Sequence, residues 1–131
     1  MTVTAVTTAL VWVGVVLIGG VGSVLRFLVD RTVSRQVARP FPFGTLGVNI
    51  SGAALLGFLG GLALSKDAAL LAGTAFVGAY TTFSTWMLET QRLGEERQTW
   101  AALANIVVSV LLGMAAAFLG QWVSQWILAH L

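Results

Sequence analysis

Hydroxyl side chains are concentrated in one short stretch of an otherwise apolar segment. The segment covers residues 68–88, and about 20 apolar residues suffice to cross a bilayer. Four hydroxyl residues lie within five positions of it: Thr81, Thr82, Ser84 and Thr85. Nucleophilic chemistry at a hydroxyl requires an adjacent base, which the neighbouring sequence does not offer. Because membranes tolerate polar or irregular backbone only where protein buries it or water or an ion lines it, the stretch is either a packing notch or the wall of an ion path.

The other polar side chains of the apolar segments are mostly hydrogen-bond donors. Asn49 lies in the second segment, and Asn105 and Ser109 lie four residues apart on one face of the last. A membrane asparagine can join two helices, or it can direct an amide N–H into a pore. Arg26, at the end of the first segment, can extend to the lipid surface or face an aqueous vestibule that attracts anions.

The residue types argue against an enzyme and favour the passage of an anion. The chain has no cysteine, its one histidine is the penultimate residue, and no pair of acids lies within an apolar segment. Neither a nucleophile with its base nor a metal cluster is therefore predicted. Cation channels tend to use acidic rings or carbonyl cages. Phe83 and Trp86 share a face, and their ring edges carry positive partial charge, which suits a small anion.

The composition is that of an integral membrane protein. Of 131 residues, 57% are hydrophobic and 9% charged, whereas soluble domains have about 25% charged residues. We predict a single domain over residues 1–131 with four transmembrane helices at about 6–28, 44–64, 68–88 and 100–128, the first retained rather than cleaved. The fold class is all-α, with a break in the third helix around Gly78. Four short helices do not easily enclose a water path, so a dimer is expected.

The positive charges are unevenly distributed. Residues 29–42 form the predicted first loop, in which arginines four apart indicate a short interfacial helix. The net charge of +2 is confined to loops and does not suggest a nucleic-acid partner. With four spans, Lys66 is the only Lys/Arg on one side, and six lie on the other: Arg26, Arg31, Arg35, Arg39, Arg92 and Arg97. The positive-inside rule therefore predicts that both termini face outward.

Small residues recur four apart in the first two spans. Gly19 with Ser23, and Gly57 with Gly61, have the spacing that lets two helix backbones approach closely. These pairs predict tight contacts between neighbouring helices.

Three blocks of the sequence resemble the Fluc/CrcB family of small bacterial fluoride channels. They are GGVGSVLR at 19–26, GTLGVN at 44–49 followed by Gly52, and GAYTTFSTW at 78–86 followed by Glu89. The T-T-F-S-T run is the most specific, and the chain length and four-span layout agree as well. The resemblance implies a passive, multi-pass fluoride channel of the prokaryotic plasma membrane. It also implies an antiparallel homodimer of dual-topology subunits with two separate pores.

The resemblance implies roles for individual residues. Asn49 would be the pore amide, and Phe83 the aromatic side chain that lines the ion path. The backbone carbonyls of Gly78 and Thr81 would surround a central structural sodium ion that both subunits share, and Arg26 would face the vestibule. The other residues implied for the fluoride path are Thr82, Ser84, Thr85, Trp86, Asn105 and Ser109.

Two features depart from the family pattern. Trp86 stands where the family usually has a second phenylalanine. Its indole is larger and adds an N–H donor, so it could narrow the pore, replace a ring edge by a hydrogen bond, or mark a subunit that pairs with another chain. The strong charge asymmetry also differs from the weak bias that dual topology requires. A heterodimer with a paralogous subunit therefore stays open beside the homodimer.

Two other functions remain as alternatives. A small multidrug-type exporter is also a four-helix antiparallel dimer, but it requires an essential carboxylate in the middle of the membrane. The nearest candidate, Glu89, lies just past the end of the third span. A non-transporting assembly subunit would use its small residues only for packing, and substitution of Asn49 or Phe83 would then change nothing.

Overall fold

In the computed structural model, which describes residues 2–131, the chain forms helices and no strand within this range. The prediction of an all-α protein is confirmed for these residues. The elements are α1 (Val3–Gln36), α2 (Phe43–Gly61), α3 (Lys66–Ala69), a π-helix (Leu70–Val77), α4 (Gly78–Tyr80), α5 (Ser84–Glu95) and α6 (Thr99–Ala129).

Three helices are long and apolar enough to cross a membrane, namely α1, α2 and α6. The segment predicted to be the third span is composed of the consecutive elements from α3 to α5.

The first helix is longer than the sequence predicted. It continues through residues 29–36, which were assigned to a loop containing a separate interfacial helix. Its 34 residues correspond to a length of roughly 51 Å, whereas the hydrocarbon core of a bilayer is about 30 Å thick. The prediction was wrong because charged residues mark where a helix leaves the membrane, and arginine is itself a good helix former.

The backbone departs from helical geometry after α4. Thr81 is extended, with φ −80° and ψ 161°, and the next helix begins at Ser84. Gly78, around which the sequence placed an interruption, is itself helical, with φ −61° and ψ −37°. A glycine alone does not end a helix. The chain departs from the helix where neighbouring side chains offer its backbone other hydrogen-bond partners.

The second and last helices approach closely at glycines. A Cβ atom at Gly57 would contact the backbone of Ala117, and one at Gly120 would contact the carbonyl oxygen of Ala54. Gly61 likewise faces α6 without room for a side chain. The predicted tight packing at Gly57 and Gly61 is therefore confirmed, and it holds the second half of α2 against α6.

Substitution at Gly120 tests this packing. Gly120→Ala should lower the free energy of unfolding by about 2 kcal/mol, because the added methyl group would meet the Ala54 carbonyl in a close-packed interface. Gly113→Ala, on the same helix but with open space around its Cβ, should be neutral or stabilising by up to about 1 kcal/mol. Denaturant titration in detergent micelles, followed by circular dichroism, measures both. Equal stabilities of the two variants would contradict the close approach.

Candidate functional site

The extended backbone after α4 is bound by one side chain of α2. Asn49 Oδ1 accepts a hydrogen bond from the Thr82 N–H at 2.8 Å, and Asn49 Nδ2 donates to the Thr82 carbonyl at 2.9 Å. Backbone groups without partners at membrane depth cost several kcal/mol each, so the amide replaces two bonds that a helix would have supplied. Since an amide nitrogen has two N–H groups, one of them is left available by these contacts.

Gly52 provides the space for this backbone. A Cβ at Gly52 would contact the Thr81 side chain and would lie 3.3 Å from the Tyr80 ring. The Tyr80 hydroxyl in turn forms a 2.8 Å hydrogen bond with Ser51 Oγ. The stretch from Asn49 to Gly52 in α2 therefore contacts three successive residues, Tyr80 to Thr82.

The extended backbone after α4 also leaves one backbone carbonyl without its helical hydrogen-bond partner. In a continuous α-helix the Thr82 N–H would donate to the Gly78 carbonyl, but here it donates to Asn49. Thr81 keeps its helical bond to the Val77 carbonyl at 2.9 Å. Gly78 and Thr81 both line a groove of about 540 Å³ between α2 and the elements from α3 to α4. Carbonyl oxygens of this kind are the ligands that hard cations prefer.

The hydroxyls at the start of α5 form a connected group. Thr82 Oγ1 accepts a hydrogen bond from the Thr85 N–H at 3.2 Å and donates to Thr85 Oγ1 at 3.1 Å. Ser84 is exposed, and its Oγ lies 3.5 Å from Thr82 Oγ1. The buried Thr82 side chain therefore caps the N-terminus of α5, a structural role that the sequence analysis did not predict.

Arg26 lies beside a small cavity that reaches these hydroxyls. The cavity has a volume of about 220 Å³, and Thr82, Thr85, Asp30 and Thr45 are among its lining residues. A guanidinium at such a place raises the local electrostatic potential and attracts anions. Asp30, of opposite charge, lines the same cavity, and the vestibule at Arg26 stays a prediction.

Glu89, the carboxylate considered for an exporter, is bonded within the protein. The Thr45 hydroxyl donates a hydrogen bond to Glu89 Oε1. Glu89 also lines a larger cavity of about 460 Å³ that includes Asp30, Arg39 and Arg92. Residues of both charge signs therefore surround this carboxylate.

A second, more apolar groove contains the aromatic residues. Phe83 and Trp86 line it, and their rings meet edge to face with centroids 5.7 Å apart and planes at 83°. Asn49, Thr82 and Ser109 also line this groove, which has a volume of about 290 Å³. Ser109 Oγ is buried and has no hydrogen-bond partner among the described residues. An amide, hydroxyls and ring edges thus meet in one place, and Thr82 lines both this groove and the cavity at Arg26.

Asn105 lies between two helices rather than in the groove. Its side chain is 1% exposed and donates to Thr90 Oγ1 at 2.9 Å. Its backbone carbonyl accepts a 3.1 Å hydrogen bond from the Trp86 indole N–H. The sequence analysis missed Thr90, although its position four residues after Trp86 places both on one helix face and could have indicated it.

The predicted path residues are therefore distributed over four places. Asn49, Thr82, Phe83, Trp86 and Ser109 meet at the aromatic groove. Thr85 joins Arg26 at the smaller cavity. Ser84 is exposed, and Asn105 is buried behind the groove.

Comparison with known proteins identifies relatives that cover most of the chain. A family model described as "CrcB-like protein, Camphor Resistance (CrcB)" matches residues 13–121. A protein of Mycobacterium tuberculosis (strain ATCC 25618 / H37Rv), named "Fluoride-specific ion channel FluC 2", is 75% identical over 125 residues, which cover 95% of this chain and 99% of the relative. A protein of the same name from Mycolicibacterium paratuberculosis is 81% identical over 119 residues, or 91% of this chain and 98% of the relative.

A more distant relative from Nocardia farcinica is named "Fluoride-specific ion channel FluC 1". It is 41% identical over 116 residues, which cover 88% of this chain and 82% of the relative. These names are those of ion channels and point to a non-enzymatic protein. Together with the three long apolar helices, they identify a multi-pass membrane protein. From the family match and these identities, the chain belongs to the Fluc/CrcB family, as its three sequence blocks predicted.

Proposed function

We propose that the chain is a fluoride-selective passive channel that exports cytoplasmic fluoride. The observation that carries the proposal is the groove in which the Asn49 amide, the Phe83 ring and the Ser109 hydroxyl meet. The names of the relatives, which are fluoride-specific ion channels, support the choice of ion.

The chemistry of the groove suits a small anion. Fluoride must exchange its water shell for protein donors, which the free N–H of Asn49 and the unpartnered Ser109 hydroxyl supply. The ring edges of the aromatic pair add positive partial charge. The basic residue, Arg26, lies at the neighbouring cavity, where it attracts the ion without binding it in the groove. Conduction requires this balance, because binding must be favourable enough for entry and weak enough for release.

Passive transport is sufficient for the proposed role. Hydrogen fluoride crosses membranes and dissociates in the more alkaline cytoplasm, so the fluoride formed there can leave down its own gradient. No mid-membrane carboxylate is then needed, and Glu89 serves as a hydrogen-bond acceptor for Thr45.

The proposed assembly is an antiparallel dimer of dual-topology subunits with two pores. In the single chain Phe83 is 70% exposed, although it lies at the centre of the proposed path. A second subunit would cover this ring and close each groove into a pore. A homodimer is the simplest form. A heterodimer stays open, since relatives named FluC 1 and FluC 2 suggest that some organisms hold paralogous chains.

A structural sodium ion at the dimer centre fits the backbone of this chain. The Gly78 carbonyl has lost the Thr82 N–H as its helical partner, and both Gly78 and Thr81 line the open groove beside α2. A second subunit related by a two-fold axis would supply the same two carbonyls again, and four carbonyl oxygens suit a hard cation. Bound there, the ion would hold the two subunits together through their non-helical backbone.

Liposomes that contain only this chain should release fluoride rapidly and retain chloride. A fluoride electrode measures the release, and chloride-loaded vesicles are the control. Fluoride-selective release would mean that one kind of chain suffices and that Trp86 is compatible with conduction. Absence of release by correctly folded protein would contradict a functional homodimer.

Replacing the groove's phenylalanine should slow fluoride release. Phe83→Ile removes the aromatic ring that lines the groove, and we expect fluoride release at least about tenfold slower, which corresponds to a loss of about 1.4 kcal/mol or more. Phe118→Ile is the matched control, because Phe118 is 68% exposed in α6 and is absent from the lining of the aromatic groove. Equal rates of fluoride release for the two variants would contradict the assignment of Phe83 to the fluoride path.

A negative charge at position 49 should block the channel. Two like charges about 4 Å apart repel by roughly 4 kcal/mol at an effective dielectric constant near 20, so Asn49→Asp should lower fluoride release by at least about 100-fold. Gel filtration and thermal unfolding establish whether the variant is folded. Unchanged release from folded Asn49→Asp protein would refute the assignment of Asn49.

A further inference from the structure

Trp86 and Asn105 are joined by a closed cycle of hydrogen bonds between α5 and α6. The Trp86 indole N–H donates to the Asn105 carbonyl at 3.1 Å. The Asn105 side-chain amide donates to Thr90 Oγ1 at 2.9 Å, and the Thr90 hydroxyl donates to the Trp86 carbonyl at 2.8 Å. Each helix thus supplies both a backbone carbonyl and a side-chain donor to this Trp86–Asn105 cycle.

The cycle determines what Trp86 can offer to the groove. Its only polar hydrogen is bonded to α6, so the indole has no donor left for an ion. What remains is the aromatic ring, which meets the Phe83 ring at 83° with centroids 5.7 Å apart. Trp86 therefore acts through its ring, and its contact in the groove is with Phe83.

The cycle also fixes where this ring lies. The helix α5 follows non-helical residues, so its position relative to α6 does not follow from a continuous helix. Asn105 is almost fully buried, with 1% exposure. Loss of the Thr90 hydroxyl would leave its amide without this acceptor in an apolar interior, which is unfavourable. The helices would then shift to expose or re-pair the amide, and the indole bond would lengthen with them.

We propose that Thr90 and Asn105 are positioning residues, which orient the Trp86 ring and through it the ring of Phe83. The effect on transport rests on the proposed fluoride conduction, whereas the effect on the indole does not. Asn105 accordingly influences the fluoride path from behind the groove, through its carbonyl and its amide.

Hydrogen exchange of the Trp86 indole tests the cycle directly. The chain has five tryptophans, and indole ¹⁵N labelling in detergent micelles gives one signal for each. The signal missing in Trp86→Phe identifies that of Trp86. Thr90→Val keeps the shape of the side chain and removes the hydroxyl. We expect the Trp86 indole to exchange at least about tenfold faster in this variant, because its hydrogen bond is weakened.

Fluoride release from liposomes is measured on the same variants. Release should be at least about fivefold slower in Thr90→Val, and Thr90→Ser should restore both release and exchange to within about twofold of the unsubstituted chain, since serine retains the hydroxyl. Thr8→Val is the matched control. Thr8 also bonds a carbonyl four residues earlier in its own helix, but it is exposed, and its loss should change neither quantity.

The proposal is overturned if indole exchange is unchanged in Thr90→Val, or if Thr90→Ser behaves like Thr90→Val. It is also overturned if exchange accelerates while fluoride release stays the same. Should Thr90→Val fail to fold, Thr90→Ala replaces it in the same comparison. If the unsubstituted chain releases no fluoride, the proposed function fails, and the exchange rates still decide whether the cycle holds the ring.

Discussion

The fold depends on satisfying a non-helical backbone at a depth where lipid offers no hydrogen bonds. Asn49 meets this requirement by bonding both the N–H and the carbonyl of Thr82. Gly52 leaves the space that Thr81 occupies. With these two residues on α2, the chain can leave helical geometry after Tyr80 and start a new helix at Ser84. The features that distinguish the site from an ordinary helix bundle follow from this non-helical backbone between Tyr80 and Ser84.

The same departure creates the groups that transport would use. It places Phe83 on an exposed surface, turns the Thr82 hydroxyl toward Thr85, and separates the Gly78 carbonyl from its usual donor. One N–H of Asn49 holds the backbone, and Asn49 also lines the aromatic groove, so the proposed transport role and the structural role fall on the same residue.

Sequence alone predicted the helical class and the glycine contacts of α2. It also named Asn49, Phe83 and Ser109, which line the aromatic groove, while their role in a fluoride path stays a prediction. The predicted end of α1 was wrong, because polar residues mark the membrane boundary and not the end of a helix. The sequence also placed the interruption at Gly78 rather than after Tyr80. The partner of the Trp86 indole could not be foreseen. The helix that supplies it, α6, is apolar around most of its circumference, so no hydrophobic stripe indicates its rotation.

The bond between Asn49 and Thr82 has a consequence for how the chain is made. The ribosome completes α2 before it reaches the non-helical residues 81–83, so the amide is already in the bilayer when the backbone that needs it arrives. The polar groups can thus pair as they leave the translocon, without waiting for a second subunit. The order of the segments along the gene is in this sense part of the folding mechanism, and a permuted gene that encodes α2 last would expose those groups to lipid during synthesis.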